Sequence, residues 1–233
     1  LNSSNFTWII DPLDGTTNFV HGYPCYGVSL ALIHENETIV GVVIELPMNN
    51  IYFATNTSLA YCNDDVIQVS KNKNLINSLL VTGFGYDHGH NWNFNMQLFK
   101  KFTDLTQGVR RSGAAAVDLC HTASGKVDGY WEFDVKPWDL AAGALIAKRA
   151  GAKLTNLKGE KFSIFDNEIL VSNVGDMKIS SLSLVDTISD SNGNVLTLNE
   201  PLSSLSSSSG SSSTTLLIRG STTFTTSYTI TQS

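Results

Sequence analysis

A layered fold mixing strands and helices (α/β or α+β) is predicted for this chain by the order of its periodic segments. Strand-like runs come first, helical runs follow, and the two then alternate. Gly27 to His34 and Thr38 to Leu46 are β-branched, apolar runs joined by a short Glu-Asn-Glu turn, which reads as an antiparallel hairpin. Further on, Phe94, Leu98, Phe99, Phe102 and Leu105 recur at three- and four-residue steps, the pattern of one buried helix face.

The remaining elements fall between these landmarks. Pro47-Met48-Asn49-Asn50 forms a turn into a strand over Ile51 to Thr55. Leu79 to Thr82 is a short apolar strand running into Gly83 and Gly85. Gly113 to Ser124 is an Ala-rich helix ending at Gly125, a C-terminal cap. Val127 to Phe133 is a strand, Leu140 to Ala150 a helix closed by Gly151, and Glu168 to Ser172 a last strand. No internal repeat interrupts this order.

Composition narrows the function. Of 233 residues, 42% are hydrophobic and 15% charged, enough apolar material for a core and too much for a wholly disordered chain. With 15 Lys+Arg against 21 Asp+Glu there is no positive excess for nucleic acid, so none is expected as a partner. No apolar run reaches the length of a membrane span, and the polar start, Leu1 to Thr7, lacks the features of a signal peptide. Cys25, Cys62 and Cys120 form no C-x-x-C pair and read as buried reduced thiols of an intracellular protein. Four N-x-[ST] sequons, at Asn2, Asn5, Asn36 and Asn56, read as chance occurrences.

The composition breaks near the end. Ser203 to Ser233 holds 12 Ser and 8 Thr, with Arg219 its one charged side chain. Residues 1–201 are therefore expected to be globular and 202–233 a disordered tail. Leu1 is not an initiator Met, and the chain is read as processed or as part of something longer.

The chemistry concentrates in two segments. Trp8-Ile9-Ile10-Asp11-Pro12-Leu13-Asp14-Gly15-Thr16-Thr17-Asn18 ends an apolar strand with two carboxylates three residues apart. Crowded carboxylates call for a cation, and oxygen-only ligands favour Mg²⁺ or another hard ion. The amides of Gly15 and Thr16 are then placed to receive a phosphate. An ordinary acidic turn is the competing reading. In Lys136-Pro137-Trp138-Asp139-Leu140-Ala141-Ala142-Gly143, Asp139 sits where a helix begins and is either a cap or a third ligand. The small residues behind it predict close packing of that helix start.

Together these two motifs resemble the inositol monophosphatase family of lithium-sensitive, magnesium-dependent phosphatases. The resemblance continues through Gly22-Tyr23-Pro24, Leu79 to Tyr86, Val109 to Ala116 and Asp128 to Glu132, covering about Trp8 to Asn173 in order. Its details are most similar to plant-plastid and bacterial members. It implies an α-β-α-β-α sandwich and two-metal hydrolysis of a small phosphomonoester. Asp11, Asp14, Asp139 and the Leu13 carbonyl would be metal ligands. Thr16 would orient the attacking water, and Asp11 and Asp14 would join it in the catalytic set. Gly15, Thr16, Gly113, Ala115 and Glu132 would bind substrate, Glu132 through sugar or polyol hydroxyls. His21, His88, His90 and His121 would stand aside. A cytoplasmic or plastid location is implied, as is a homodimer for full-length members.

The chain departs from the family in one major respect. Members carry an upstream G-E-E motif whose glutamate binds metal, and an earlier aspartate that pairs with the threonine; this sequence holds neither. The N-terminal elements of the fold are therefore expected to be missing, apolar sheet surface exposed and the first metal weakly held. Thr57-Ser58-Leu59 and Asn63-Asp64 also differ from the family's turns, in what reads as a surface hairpin. Two function classes follow: a phosphatase, with bisphosphate nucleotidases and fructose bisphosphatases as rivals within it, or a non-catalytic binding protein that retains the fold.

Overall fold

The computed structural model describes residues 5–173, 184–189 and 195–200. Two units are distinguished, Leu1–Ser180 and Ser181–Ser233. In the second, strands Leu184–Ser189 and Val195–Glu200 pair as an antiparallel hairpin. The proposed Ser/Thr tail, 202–233, lies outside the described residues.

The first unit opens with a six-stranded antiparallel sheet: β1 (Phe6–Asp14), β2 (Gly27–His34), β3 (Glu37–Glu45), β4 (Asn50–Thr55), β5 (Tyr61–Cys62) and β6 (Asp65–Val66). The β2–β3 hairpin is the expected one. Glu35 and Asn36 both have positive φ (50° and 65°), the two-residue turn whose twist matches the strands. The departing Asn63-Asp64 forms a similar tight turn between β5 and β6, and the Asn63 side chain accepts the Ile51 N–H at 2.8 Å. As expected, this is a peripheral hairpin. A short helix, α1 (Thr16–His21), interrupts the chain between β1 and β2.

The second sheet has the order β10-β11-β9-β7-β8. Its strands are β7 (Leu79–Thr82), β8 (Gly108–Arg110), β9 (Gly129–Phe133), β10 (Lys153–Thr155) and β11 (Glu168–Ser172). Three helices complete the unit: α2 (His90–Leu105), α3 (Ala115–Ala123) and α4 (Pro137–Arg149). Helices α3 and α4 lie between the sheets. Their buried residues share one core with Ala31, Val43 and Tyr52 of the first sheet and with Val81, Tyr130 and Ile169 of the second. On the other face of the second sheet, Phe102 of α2 packs against Trp131 at 4.8 Å between ring centroids. The small residues of α4 do what their pattern predicts. A side chain at Gly143 would meet Leu119 Cβ of α3 at 2.7 Å, so the two helices approach almost backbone to backbone.

The layered α/β class is thus as expected. On the outer face of the first sheet Phe6, Trp8 and Ile10 are each about half exposed. No helix of the described residues is long and apolar enough to cross a membrane. The buried face of α2 is carried by Asn95, Leu98 and Phe102, while Leu105 is exposed, contrary to its expected place on that face. The three cysteines are unpaired; Cys25 and Cys120 are buried, but Cys62 is only partly so because β5 lies near the sheet edge.

One buried ionic cluster ties the first sheet to α3. Glu45 accepts from Asn50 Nδ2 at 2.8 Å and Tyr52 Oη at 3.2 Å, and pairs with His121 at 3.0 Å and Lys126 at 3.8 Å. Burial pushes the Glu45 carboxyl up, but the His121 and Asn50 hydrogen bonds and the attraction of His121 and Lys126 outweigh it and hold it at about 2. A carboxyl held below its unfolded value stabilises the fold above that value and loses its contribution as the pH falls through the folded one. Stability of the wild type is therefore expected to fall between pH 4.5 and about 2. Relative to Glu45→Gln the loss should be about 2 kcal/mol, after allowing for solvent around the half-exposed Lys126. Thermal melts across that range check it; parallel curves for the two proteins would refute it.

Candidate active site

The carboxylates are placed by a break in a strand. Ile9 of β1 faces the core, so Asp11 two residues on points to the same side, at the end of the regular pairing with Ser29. The register then shifts before Asp14 pairs with Gly27, and Pro12-Leu13 occupies the irregular stretch. Each acid is anchored by a backbone N–H. Asp11 Oδ1 accepts from Leu13 at 3.0 Å, and Asp14 Oδ2 from Ala116, in the first turn of α3, at 2.8 Å. Asp139 Oδ2 accepts from Lys136 N, the residue before α4, at 2.7 Å. Asp139 is thus the capping aspartate of one reading and stands in the cleft required by the other. Ser29 Oγ donates to the Trp138 carbonyl at 3.2 Å, linking the strand beside Asp11 to the residue preceding Asp139.

The turn after Asp14 depends on Gly15, whose φ of +78° is left-handed. Thr16 Oγ1 donates to the Leu13 carbonyl at 2.8 Å. Asn18 Nδ2 donates to the Cys25 and Ser112 carbonyls at 2.7 and 2.8 Å, tying α1 to the segment before α3. That clamp was not singled out in the sequence, although it closes the D-G-T-T-N motif.

All nine residues marked by the sequence line one cleft of about 650 Å³: Asp11, Leu13 and Asp14 from β1, Gly15 and Thr16 at the start of α1, Gly113 and Ala115 before and in α3, Glu132 on β9 and Asp139 on α4. Gly83, Arg111 and Lys136 also line it and were not marked. Arg111 and Lys136 stood within the quoted motifs, and Gly83 at the strand end. A second cavity of about 640 Å³, at the far end of α4, has a single acidic lining residue, Glu37, and no converging carboxylates.

Like charges dominate the cleft. Burial, then the negative charge of Asp11 and of Asp139, push the Asp14 carboxyl up to about 7 against the Ala116 N–H. Asp139 is raised by burial and by Asp11, against the N–H of Lys136. Glu132 is pushed up to about 8 by burial and by Asp139 and Asp14, against the Tyr130 hydrogen bond and Arg111. Behind the cleft, burial holds Asp118 well above the ordinary carboxylate range, the Ser112 hydroxyl opposing. Among the described residues no three His, Cys, Asp or Glu side chains converge closely enough to form a ready-made metal cluster. The donors nonetheless suit a hard cation. They are all oxygens, and they carry mutual repulsion that a divalent ion would relieve.

The model of the inositol monophosphatase family matches residues 1–189. The chain belongs to that family. An Arabidopsis thaliana protein named phosphatase IMPL1, chloroplastic, is 49% identical over 178 residues, 74% of this chain and 48% of that protein. The inositol-1-monophosphatase of a Synechocystis species is 46% identical, over 72% of this chain and 58% of its own length. This inositol monophosphatase family chain thus spans about half the length of these relatives. The solved inositol monophosphatase of an Anabaena (Nostoc) species is 41% identical, with a TM-score of 0.70 over 74% of this chain and 69% of that one.

Proposed function

We propose that the chain carries the catalytic face of a Mg²⁺-dependent phosphomonoesterase for inositol monophosphate or a related small sugar or polyol phosphate. The observation that supports this most is convergence. Side chains from segments more than a hundred residues apart bring three mutually repelling aspartates, a left-handed glycine turn and an exposed threonine into one cleft. Mutually repelling carboxylates beside an exposed threonine and free turn amides suit a cation and a phosphate together, so the enzyme reading is favoured over a non-catalytic one.

In this reading Asp11, Asp14, Asp139 and the Leu13 carbonyl hold the divalent cation. When bound, it supplies Lewis-acid polarisation and acidification of water. The chain's own residues do the rest. Backbone N–H groups of Gly15 and Thr16 bind phosphoryl oxygens, meeting charge as it develops. The Thr16 hydroxyl, fixed by its bond to Leu13 O, orients water for in-line attack on phosphorus. Gly113 and Ala115 leave room for the substrate, and Glu132 takes its hydroxyls. No side chain is phosphorylated. Arg111 and Lys136 add positive charge to the same cleft, and this favours, as a second reading, a substrate with a second anionic group. The name of the chloroplastic relative supports a plastid as one site of action.

Phosphate release from inositol 1-phosphate is the test, with and without Mg²⁺ and Li⁺. It is to be run on this chain and on one extended upstream to the length of its relatives, with fructose 1,6-bisphosphate in parallel. Mg²⁺-dependent, Li⁺-inhibited release supports the reading, and faster turnover of the bisphosphate selects the second one. Binding without release from either folded chain would refute both.

A further inference from the structure

We infer that Tyr130 and Gly83 are positioning residues which together fix the Glu132 carboxyl for recognition of substrate hydroxyls. The inference rests on the reading of the cleft proposed above. It starts from strand geometry. Alternate residues of β9 share a face, so Tyr130 and Glu132 lie side by side toward α3 while Trp131 faces α2. Tyr130 is fully buried, and its hydroxyl donates to Glu132 Oε2 at 2.5 Å. A buried phenol needs a partner for its O–H, and here the partner is a residue lining the cleft.

From the other side the carboxyl is held by empty space. β7 runs parallel to β9, with Thr82 opposite Trp131, so Gly83 follows directly beside Glu132. A Cβ built at Gly83 would lie 2.0 to 2.2 Å from Oε1, Cδ and Oε2 of Glu132. The carboxyl therefore occupies the volume that any other residue's side chain would claim. The Gly83 backbone is itself held in place. Asn95 of α2, 1% exposed, donates to the Gly83 carbonyl at 2.7 Å and accepts from Trp131 Nε1 at 2.6 Å. One buried amide thus locks the end of β7 to β9, and the Glu132 side chain is wedged between the Tyr130 hydroxyl and the Gly83 backbone. Holding a long side chain in a single geometry before substrate arrives removes the ordering cost from the binding step.

The test is calorimetric binding by the full chain in Mg²⁺, comparing inositol 1-phosphate with inorganic phosphate, which shares the phosphoryl group and lacks the hydroxylated ring. Tyr130→Phe removes one oxygen and is expected to weaken inositol 1-phosphate binding about 5- to 10-fold, the scale of one ordinary hydrogen bond. Inorganic phosphate binding should be unchanged. Gly83→Ala should give a loss of at least about 10-fold with the same selectivity. It should still fold, because the atoms it displaces are the tip of one side chain. In a Glu132→Ala background neither substitution should have a further effect, a coupling that simple loss of packing would not produce. Should Gly83→Ala not fold, Tyr130→Phe and its coupling to Glu132 decide. Equal losses for both ligands, or an unchanged preference in Tyr130→Phe, overturn the inference while leaving the cleft's proposed function standing. A wild-type chain that binds neither probe overturns both.

Discussion

A chain carrying Asp14→Asn is expected to melt at a higher temperature than the wild type in metal-free buffer and to gain nothing from added Mg²⁺. Asp14 is 6% exposed, and Asp11 and Asp139 both act on it with like charge. Asparagine keeps an oxygen for the Ala116 N–H, which Asp14 now accepts at 2.8 Å, and removes the repulsion. Relief of about 1 to 2 kcal/mol corresponds to a rise of several degrees in a chain of this size. In the wild type Mg²⁺ should produce a comparable or larger upward shift, because a ligand that binds only the folded state stabilises it by mass action. Phosphate release should fall by at least about 10³-fold in the variant. Differential scanning calorimetry with and without Mg²⁺ makes the test independent of turnover. A destabilised variant that still responds to Mg²⁺ would remove Asp14 from the ligand set.

Among the glycines lining the cleft, Gly15→Ala should cost the fold most, and Gly22→Ala supplies its control. Both glycines are left-handed, at φ +78° and +68°, so alanine pays a similar backbone penalty of about 1 kcal/mol at each. Their surroundings differ. A Cβ at Gly22 meets nothing within 4 Å. At Gly15 it would lie 2.8 Å from the Cys25 carbonyl and 3.1 Å from both Ala114 Cβ and Tyr26 Cα, atoms that move only if backbone moves. Unfolding by urea should show a loss of about 1 kcal/mol for Gly22→Ala and about 3 kcal/mol or more for Gly15→Ala. Binding of inorganic phosphate should drop only in the second. Equal losses would mean that the turn relaxes freely and that crowding at Gly15 is unimportant.

Legibility of the fold followed the strength of each local pattern. β2, β7 and β11 have the expected boundaries because strict alternation or a compact apolar run defines them. α1 has six residues and none buried, so no periodicity announces it. β8 and β10 have three residues each and exist only because neighbouring strands pair with them. α4 begins at Pro137, ahead of the expected Leu140; proline at the first helical position was the available signal. On α2 the apolar spacing places Leu98 and Phe102 correctly on the buried face, with Phe94 and Phe99 partly buried, but it passes over Asn95, which is polar and is buried for its hydrogen bonds.

By itself the sequence determined the chemistry on offer and the class of fold: carboxylates at a strand end, a glycine-threonine turn, a third acid at a helix start, and strands and helices in a layered order. Residue type and short-range spacing suffice for that, since both act within one or two elements. Tertiary structure alone decided that nine residues on or beside five elements share one cleft, that Asp139 caps a helix while facing Asp11 and Asp14, and that Glu132 leans on Tyr130 and an absent side chain at Gly83. Those facts depend on the packing of α3 and α4 between two sheets. The distances that set repulsion, burial and exclusion are fixed across the core, between residues far apart in the chain.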